Sequence, residues 1–159
     1  MTYTHYWNLK KVSKDIEKQY LNVLLDLQVI NRNLPPYSIS AGGHYKDYPI
    51  VLRDGSGEGS PEFSNDCISF NGDGKLGLDH ESFYFDKNPI DFRFCKTDGK
   101  PYDFVVCLAL LSIKNHIEGF EFSSDGDFED WKPAIQFYEN TIGKLKPSVT
   151  EKLRQVEVD

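Results

Sequence analysis

The most constraining feature of this 159-residue chain is a run of ten residues, Phe104 to Ile113, in which Ser112 is the only polar side chain. Periodicity cannot separate a buried helix from a buried strand in so apolar a run. Pro101 favours a helix, because proline lacks the N–H that is unpaired in a first helical turn, and the Leu and Ala residues of the run are good helix formers. We therefore predict a helix from Pro101 to Asn115. A helix that is apolar nearly all round must be covered on several sides, so it should be the central core element.

A group of polar residues at the start of this helix forms the first candidate site. Lys96, Thr97 and Lys100 lie where unpaired N–H groups and the helix dipole favour anions. Together with Tyr102 and Asp103, they are expected to bind an anionic small molecule such as a nucleotide. The alternative interpretation is that the lysines are solvated loop residues and that Asp103 only complements the helix dipole.

Length, charge and cysteine content limit the class of protein. A chain of 18.3 kDa is long enough for one domain with a real core. Cys67, Cys95 and Cys107 lack the spacing of a disulfide framework, and the first residues lack the features of a signal peptide. We expect a cytoplasmic protein with free thiols that needs no metal and no cofactor. The net charge of -7 and the short apolar runs argue against nonspecific nucleic acid binding and against membrane spanning.

The rest of the chain predicts strands and two further helices around the central one. Alternating patterns bounded by turn residues predict strands at residues 2–9, 37–40, 49–53, 67–71, 80–85, 92–95 and 117–123. The strands between residues 67 and 95 should form an antiparallel meander. Ser13 and Asp130 are expected N-caps of helices that end near Asn31 and Ile142.

These elements predict a single α+β domain over residues 1–143. Its sheet should be mainly antiparallel, with five to seven strands, and should pack with three principal helices. Residues 144–159 are highly charged with scattered aliphatic side chains. We expect this tail to form one helical turn or to fray.

The first helix carries two apolar stripes. The first has the helical spacing of a core face and consists of Ile16, Tyr20, Val23, Leu24, Leu27 and Ile30. The second consists of Leu21, Leu25 and Val29. We expect the helix to be sandwiched within the domain, because one core with several elements is the usual arrangement. The alternative is that the second stripe binds a partner, either a host protein or a second copy of the chain.

Two patterns resemble ligand loops but are incomplete. Gly55, Gly57 and Gly59 could cradle a phosphate, yet no Lys-Ser or Lys-Thr pair follows them as in a P-loop. The acidic and amide residues between Asn71 and Glu81 suggest calcium, but they lack the alternate spacing of an EF-hand loop. Both interpretations are therefore disfavoured.

Four residues have the side-chain types that bind divalent metals. They are His44, His80, Glu81 and Cys95. No pair among them has a helical metal-ligand spacing, so we do not expect a metal site there.

Several short motifs occur in a distinctive order and spacing. They are Tyr3-Thr-His-Tyr-Trp7, Phe70-Asn71-Gly72, His80-Glu81-Ser-Phe83, Phe94-Cys-Lys-Thr97, Lys100-Pro-Tyr-Asp103, and Ser123-Ser-Asp-Gly126 with Trp131. In these motifs the chain resembles a family of small uncharacterised proteins encoded by phages, prophages and many bacteria. The resemblance spans residues 2 to about 143, although many members start Gly-Tyr-Thr-His-Tyr-Trp where this chain has Thr2. It implies a phage or mobile-element origin and no catalytic residue.

A binding module is the first functional hypothesis. Ser123, Ser124 and Asp125 would line one concave edge with the loop after Cys95, if both connections leave the sheet on the same side. Trp7 or Tyr102 would stack on a base. The expected binding set also includes His5, Asn71, His80 and Glu81. In a phage protein such a module would act as a sponge for a nucleotide signal and so counter host defence.

Two alternatives remain open. A protein-binding inhibitor of a host defence system would use the acidic surface and the second stripe of the first helix. A small enzyme would use Cys95 or Thr97 as nucleophile, because Lys96 and the helix N-terminus would lower the pKa of the Cys95 thiol. Its base and orienting residue would come from a His/Asp pair drawn from His5, His44 or His80 and from Asp103 or Asp125.

Overall fold

The computed structural model describes residues 3–38 and 45–158. These residues form six strands, β1 to β6, and four helices, α1 to α4. In chain order they are β1 (Thr4–Leu9), α1 (Ile16–Arg32), β2 (Glu62–Phe63), β3 (Ile68–Phe70), β4 (Phe83–Phe85), β5 (Ile90–Lys96), α2 (Asp103–His116), β6 (Glu121–Ser124), α3 (Phe128–Thr141) and α4 (Pro147–Val158). The predicted α+β class is confirmed.

The six strands form two antiparallel three-stranded sheets. Sheet 1 has the order β5-β1-β6, and sheet 2 has the order β2-β3-β4. The predicted antiparallel pairing is confirmed for β3 and β4, while β2 was not predicted. The third predicted strand of the meander, β5, instead pairs with β1, with Tyr6 opposite Phe94. The expectation of one larger sheet is therefore wrong. β5 has seven residues and pairs along most of β1, whereas the three-residue β4 is too short to offer it an equal edge.

The two short strands predicted before residue 54 are reduced to bridges in the part of the chain that the structure describes. Tyr37 pairs with Pro49, and Arg53 pairs with Asn71. Residues 39–44, which include part of the first predicted strand, lie outside the described residues.

The predicted central helix is α2. Every residue from Asp103 to Ile113 is buried. It packs against α1, α3, α4 and β6, as expected for a helix that is apolar nearly all round. No helix among the described residues combines the length and the apolar content needed to cross a bilayer.

Helix α1 has one core face and one exposed apolar stripe. The first stripe contributes Tyr20, Val23, Leu24, Leu27 and Ile30 to the core. Leu21 and Leu25 are about half exposed, at 50% and 51%. The expectation that the whole helix is sandwiched is therefore wrong. The reason is that α2 and α3 cover only one side of it.

Helices α1 and α3 have different N-caps from those predicted. Asp15 precedes α1, while the hydroxyl of Ser13 accepts from the Asp15 N–H in the turn before it. Asp127 caps α3, and Asp130 completes a capping box with it. The reciprocal pair satisfies two N–H groups and allows α3 to begin at Phe128, three residues earlier than predicted.

The charged C-terminal segment forms α4 and packs on the domain. Leu145, Val149 and Leu153 are buried at intervals of four residues. The segment contacts α2 and α3. The expected frayed tail is thus a helix, because three aliphatic side chains at helical spacing are sufficient to give it an apolar face.

Candidate functional site

Four polar side chains form a cluster between β1 and the start of α2, here called the buried polar cluster. The Nε2 atom of His5 lies 2.7 Å from Oδ1 of Asp103, and the hydroxyl of Thr97 donates to the same oxygen at 2.5 Å. The sulfur of Cys107 lies 3.7 Å from Oδ2 of Asp103 and 3.8 Å from Nε2 of His5. All four residues are at most 5% exposed.

Local structure brings these residues together. Asp103 and Cys107 are four residues apart on α2 and therefore share one face of the helix. His5 belongs to the inward-facing set of β1. Thr97 directly follows β5, where its backbone N–H donates to the carbonyl oxygen of Tyr3. The sequence analysis named three of the four residues and missed Cys107, although its spacing of four from Asp103 was visible.

The cluster does not have the order of a nucleophilic triad. In such a triad the histidine stands between the nucleophile and the carboxylate. Here the Asp103 carboxylate stands between Thr97 and His5, and both donate to it. Burial and the neighbouring Asp103 carboxylate also raise the pKa of the Cys107 thiol. The arrangement suits a carboxylate held by several donors better than it suits an activated nucleophile.

Cys95 is a core residue rather than an activated thiol. It is fully buried, and its thiol donates to the carbonyl oxygen of Glu81 at 3.3 Å. Burial, with smaller effects of Asp103 and Glu81, raises the pKa of Cys95 to about 12. The expectation of a lowered pKa is therefore wrong. The ammonium of Lys96 instead lies over the ring of Phe94, 5.7 Å from its centroid.

Two of the residues expected to bind an anion at the start of α2 form hydrogen bonds to backbone carbonyls of the chain. The ammonium of Lys100 donates to the carbonyl oxygens of Gly77 and Asp79 at 3.2 and 2.8 Å. The hydroxyl of Tyr102 donates to the carbonyl oxygen of Glu81 at 2.5 Å. These bonds fix the loop between β5 and α2 against the segment before β4.

The N–H groups of the first turn of α2 are also paired. The N–H of Asp103 donates to the carbonyl oxygen of Lys100 at 2.8 Å, and that of Val105 donates to Tyr102 at 3.0 Å. The expectation of unpaired N–H groups at this end is therefore wrong. The chain turns tightly before the helix, so backbone carbonyl oxygens accept the hydrogen bonds that an anion would otherwise accept.

Of the residues considered for an enzyme base, His5 meets Asp103 in the buried polar cluster, whereas His80 and the metal candidate Glu81 bind the backbone of Lys96. One nitrogen of the exposed His80, Nδ1, bonds the carbonyl oxygen of Lys96 at 2.6 Å. The carboxylate of Glu81 accepts from the backbone N–H of Lys96 at 2.8 Å. His44 lies outside the described residues. His80 and Glu81 therefore both hold the end of β5 through the backbone of Lys96.

Asn71 and Trp7 have structural positions. The side chain of Asn71 accepts from the N–H of His80 and donates to its carbonyl oxygen, at 3.0 and 2.9 Å, which closes the loop between them. Trp7 is 2% exposed and packs on Phe83, and Tyr102 is fully buried. The expectation that Trp7 or Tyr102 stacks on a base is therefore wrong.

The two predicted loop connections do meet at one end of sheet 1. Asp125 exchanges two hydrogen bonds with the backbone of Thr4, at 3.0 and 3.1 Å. Ser124 accepts from the N–H of Gly126, and a side chain at Gly126 would collide with the hydroxyl of Tyr3. The condition that both connections leave the sheet at the same end is met, because Thr4 pairs with Lys96 and His5 pairs with Ser124.

The other face of sheet 1 carries a row of exposed rings, here called the outer aromatic face and defined by Tyr6, Phe92 and Phe94. Phe92 is 59% exposed and Phe94 is 44% exposed. The rings of Tyr6 and Phe92 are stacked with centroids 6.1 Å apart, and those of Phe92 and Phe94 are 5.9 Å apart. Lys96 extends the row beyond Phe94.

A surface depression of about 160 Å³ adjoins this row. Its lining includes Tyr6, Phe92, Ser123, Glu121 and, from α4, Lys152. Of the lining residues, Ser123 and the buried Trp7 were expected site residues. The alternation Phe92, Phe94, Lys96 was a usable signal, because alternate residues of a strand share one face.

Comparisons of the chain with protein-family models, with curated proteins and with solved structures gave no match.

Proposed function

We propose that the protein is a binding module for an aromatic, anionic small molecule, with nucleotides as the most suitable class. The outer aromatic face is the binding surface. The observation that carries this proposal is the row of Tyr6, Phe92 and Phe94, two of whose rings are about half exposed, with a lysine at its end. Exposed phenylalanines are unusual on a surface that has no partner to cover them.

The chemistry of the face suits a nucleobase with an attached phosphate. Stacking of a base on an aromatic side chain is worth about 1 to 3 kcal/mol. Lys96 has no carboxylate partner among the described residues, so its charge is available to a phosphate. Ser123 adds a hydroxyl in the adjoining depression. The proposed ligand site is therefore the outer aromatic face of sheet 1 and not the start of α2.

The biological role that fits such a module is sequestration. The protein would bind a nucleotide signal without converting it, because the polar cluster nearest to the face is buried and lacks the order of a catalytic triad. In a chain that resembles phage and prophage proteins, this role corresponds to a sponge that counters host defence.

Calorimetric titration with a panel of mononucleotides and cyclic dinucleotides tests the proposal. The native protein should bind at least one member. The double variant Phe92→Ser/Phe94→Ser should weaken that binding at least about tenfold, because two stacking surfaces are lost. Lys96→Met should weaken the binding of nucleotides more than the binding of the matching nucleosides, which lack the phosphate.

The matched control is Leu76→Ser. Leu76 is 60% exposed and lies in a short turn that is not part of sheet 1. Leu76→Ser should leave the nucleotide affinity unchanged. A native protein that binds no member of the panel, or a double variant with native affinity, contradicts the proposal.

A protein-binding function is the second candidate. The observation that favours it is the exposure of Leu21 and Leu25, which lie one helical turn apart on α1. Exposed aliphatic side chains that lie side by side are typical of protein interfaces. The occupant would be a host defence protein or a second copy of the chain.

A further inference from the structure

We propose that the buried polar cluster is a zinc site in which His5, Asp103 and Cys107 are the ligands. This inference is independent of the proposed function, because the cluster lies beneath sheet 1 and the outer aromatic face lies on its other side. The three residues supply one imidazole nitrogen, one carboxylate oxygen and one sulfur, all within 4.8 Å of one another. Zinc prefers this mixture of nitrogen, oxygen and sulfur ligands.

The two distances from the Cys107 sulfur are close to those in a tetrahedral zinc site, and the distance between His5 and Asp103 is shorter. Zinc–ligand bonds of about 2.0 to 2.3 Å at tetrahedral angles separate neighbouring ligand atoms by about 3.3 to 3.6 Å. The sulfur of Cys107 lies 3.8 Å from Nε2 of His5 and 3.7 Å from Oδ2 of Asp103. Nε2 of His5 and Oδ1 of Asp103 are 2.7 Å apart, so an ion between them would open this pair by about 0.6 Å.

The scaffold holds the ligands on rigid elements. Asp103 and Cys107 are separated by four residues on α2, which places both on one helical face. His5 comes from β1, the central strand of sheet 1. The Thr97 hydroxyl donates to the Asp103 carboxylate, as outer-shell partners of metal-binding carboxylates do. A zinc ion would thus join the sheet to the central helix.

The charge of the set also fits a divalent ion. Buried charges are normally paired or coordinate metals. With the Cys107 proton released to solvent, the carboxylate and the thiolate together neutralise Zn²⁺. His5 binds through Nε2 as the neutral tautomer with its proton on Nδ1. In this structure Nε2 instead donates to Asp103, so an ion bound at Nε2 would replace that hydrogen bond and leave the ring proton on Nδ1, which has no hydrogen-bond partner among the described residues.

Metal analysis of the full chain, refolded with and without zinc, tests the site. Elemental mass spectrometry of the wild type should find one zinc ion per chain. Cys107→Ser should lose at least nine tenths of it, while Cys95→Ser should retain it. Cys95 is the matched control, because it is an equally buried thiol outside the cluster. Equal zinc in both variants would overturn the assignment.

Cobalt substitution keeps the test decisive if Cys107→Ser fails to fold. Metal-free wild-type protein with added Co²⁺ should develop the near-ultraviolet absorption of a thiolate–cobalt bond, and added Zn²⁺ should remove it. Zinc should also raise the melting temperature of the metal-free wild type. If cobalt produces no such band and zinc leaves the melting temperature unchanged, the cluster binds no metal.

Discussion

A carboxylate with several donors is found at each end of α2. At the N-terminal end, Asp103 accepts from Thr97 and His5 through one oxygen and from Cys107 through the other. At the C-terminal end, Asp26 of α1 accepts from three side chains through one oxygen, namely Ser112, His116 and Tyr138, at 2.8, 2.8 and 2.5 Å. Donors of this kind offset the cost of removing a carboxylate from water. The two groups attach the central helix to its neighbours at both ends.

The burial of Cys95 predicts a loss of stability in alkaline solution. The thiol has an ordinary pKa of 9.0, which the fold raises to about 12. Above pH 9 the unfolded chain therefore gives up a proton that the folded chain keeps, so the free energy of unfolding falls as pH rises from about 9 towards 12. The slope from this thiol is at most about 1.4 kcal/mol per pH unit.

Urea unfolding at pH 8 and pH 10 measures this effect. The decrease between the two values should be smaller in Cys95→Ala than in the wild type, because the variant lacks the titrating thiol. An equal decrease in both proteins would show that Cys95 is accessible or that its pKa is ordinary.

At the scale of elements, β5 serves two surfaces at once. Cys95 points to the core and is fully buried, whereas Phe92 and Phe94 are exposed on the opposite face. Pairing with β1 on one edge and the contact of Glu81 with Lys96 near its end hold the strand in place. The exposed rings are therefore presented by a rigid element, which favours stacking of a ligand over local rearrangement.

Helix α4 should contribute measurably to stability. Leu153 is 5% exposed, and replacing it by Ala should lower the free energy of unfolding by about 2 to 5 kcal/mol, the usual cost of a large-to-small change in a packed core. Urea unfolding provides the measurement. Glu151→Ala, an exposed change on the same helix, should stay within about 0.5 kcal/mol of the wild type. If the two variants are equally stable, α4 is not packed in solution.

At the scale of the whole molecule, two apolar surfaces are exposed on different elements. One is the outer aromatic face of sheet 1, and the other is the leucine pair of α1. Their chemistry differs, because flat rings suit a base while aliphatic side chains suit another protein. The proposed ligand site and the proposed protein interface therefore lie on separate surfaces.

The leucine pair predicts self-association. We expect the wild type to form a dimer in sedimentation experiments at micromolar concentration, and Leu21→Asp/Leu25→Asp to remain monomeric, because two charges cannot be buried unpaired in a contact. Nucleotide affinity should be the same in both proteins. A wild type that stays monomeric over the whole concentration range contradicts the homodimer and leaves a foreign protein as the occupant.

The sequence by itself determined the features that depend on local pattern. The apolar run after Pro101 predicted α2, and helical spacing predicted the core face of α1. The α+β class and the pairing of β3 with β4 also followed from alternation and turn residues. In each case the information lies within one element, where a period of 3.6 or 2 residues directly reports which side is buried.

Only the tertiary structure decided the pairing of β5 with β1, the contacts of Lys100 and the composition of the buried polar cluster. His5 and Asp103 meet across 98 residues of chain, and the ammonium of Lys100 meets a carbonyl 21 residues away. The local pattern around each residue is compatible with many partners. A strand edge or a polar side chain specifies the type of contact that it can make, but it does not specify which residue it will contact. The choice is made when the whole core packs, which buries α2 and pairs the polar groups at its ends.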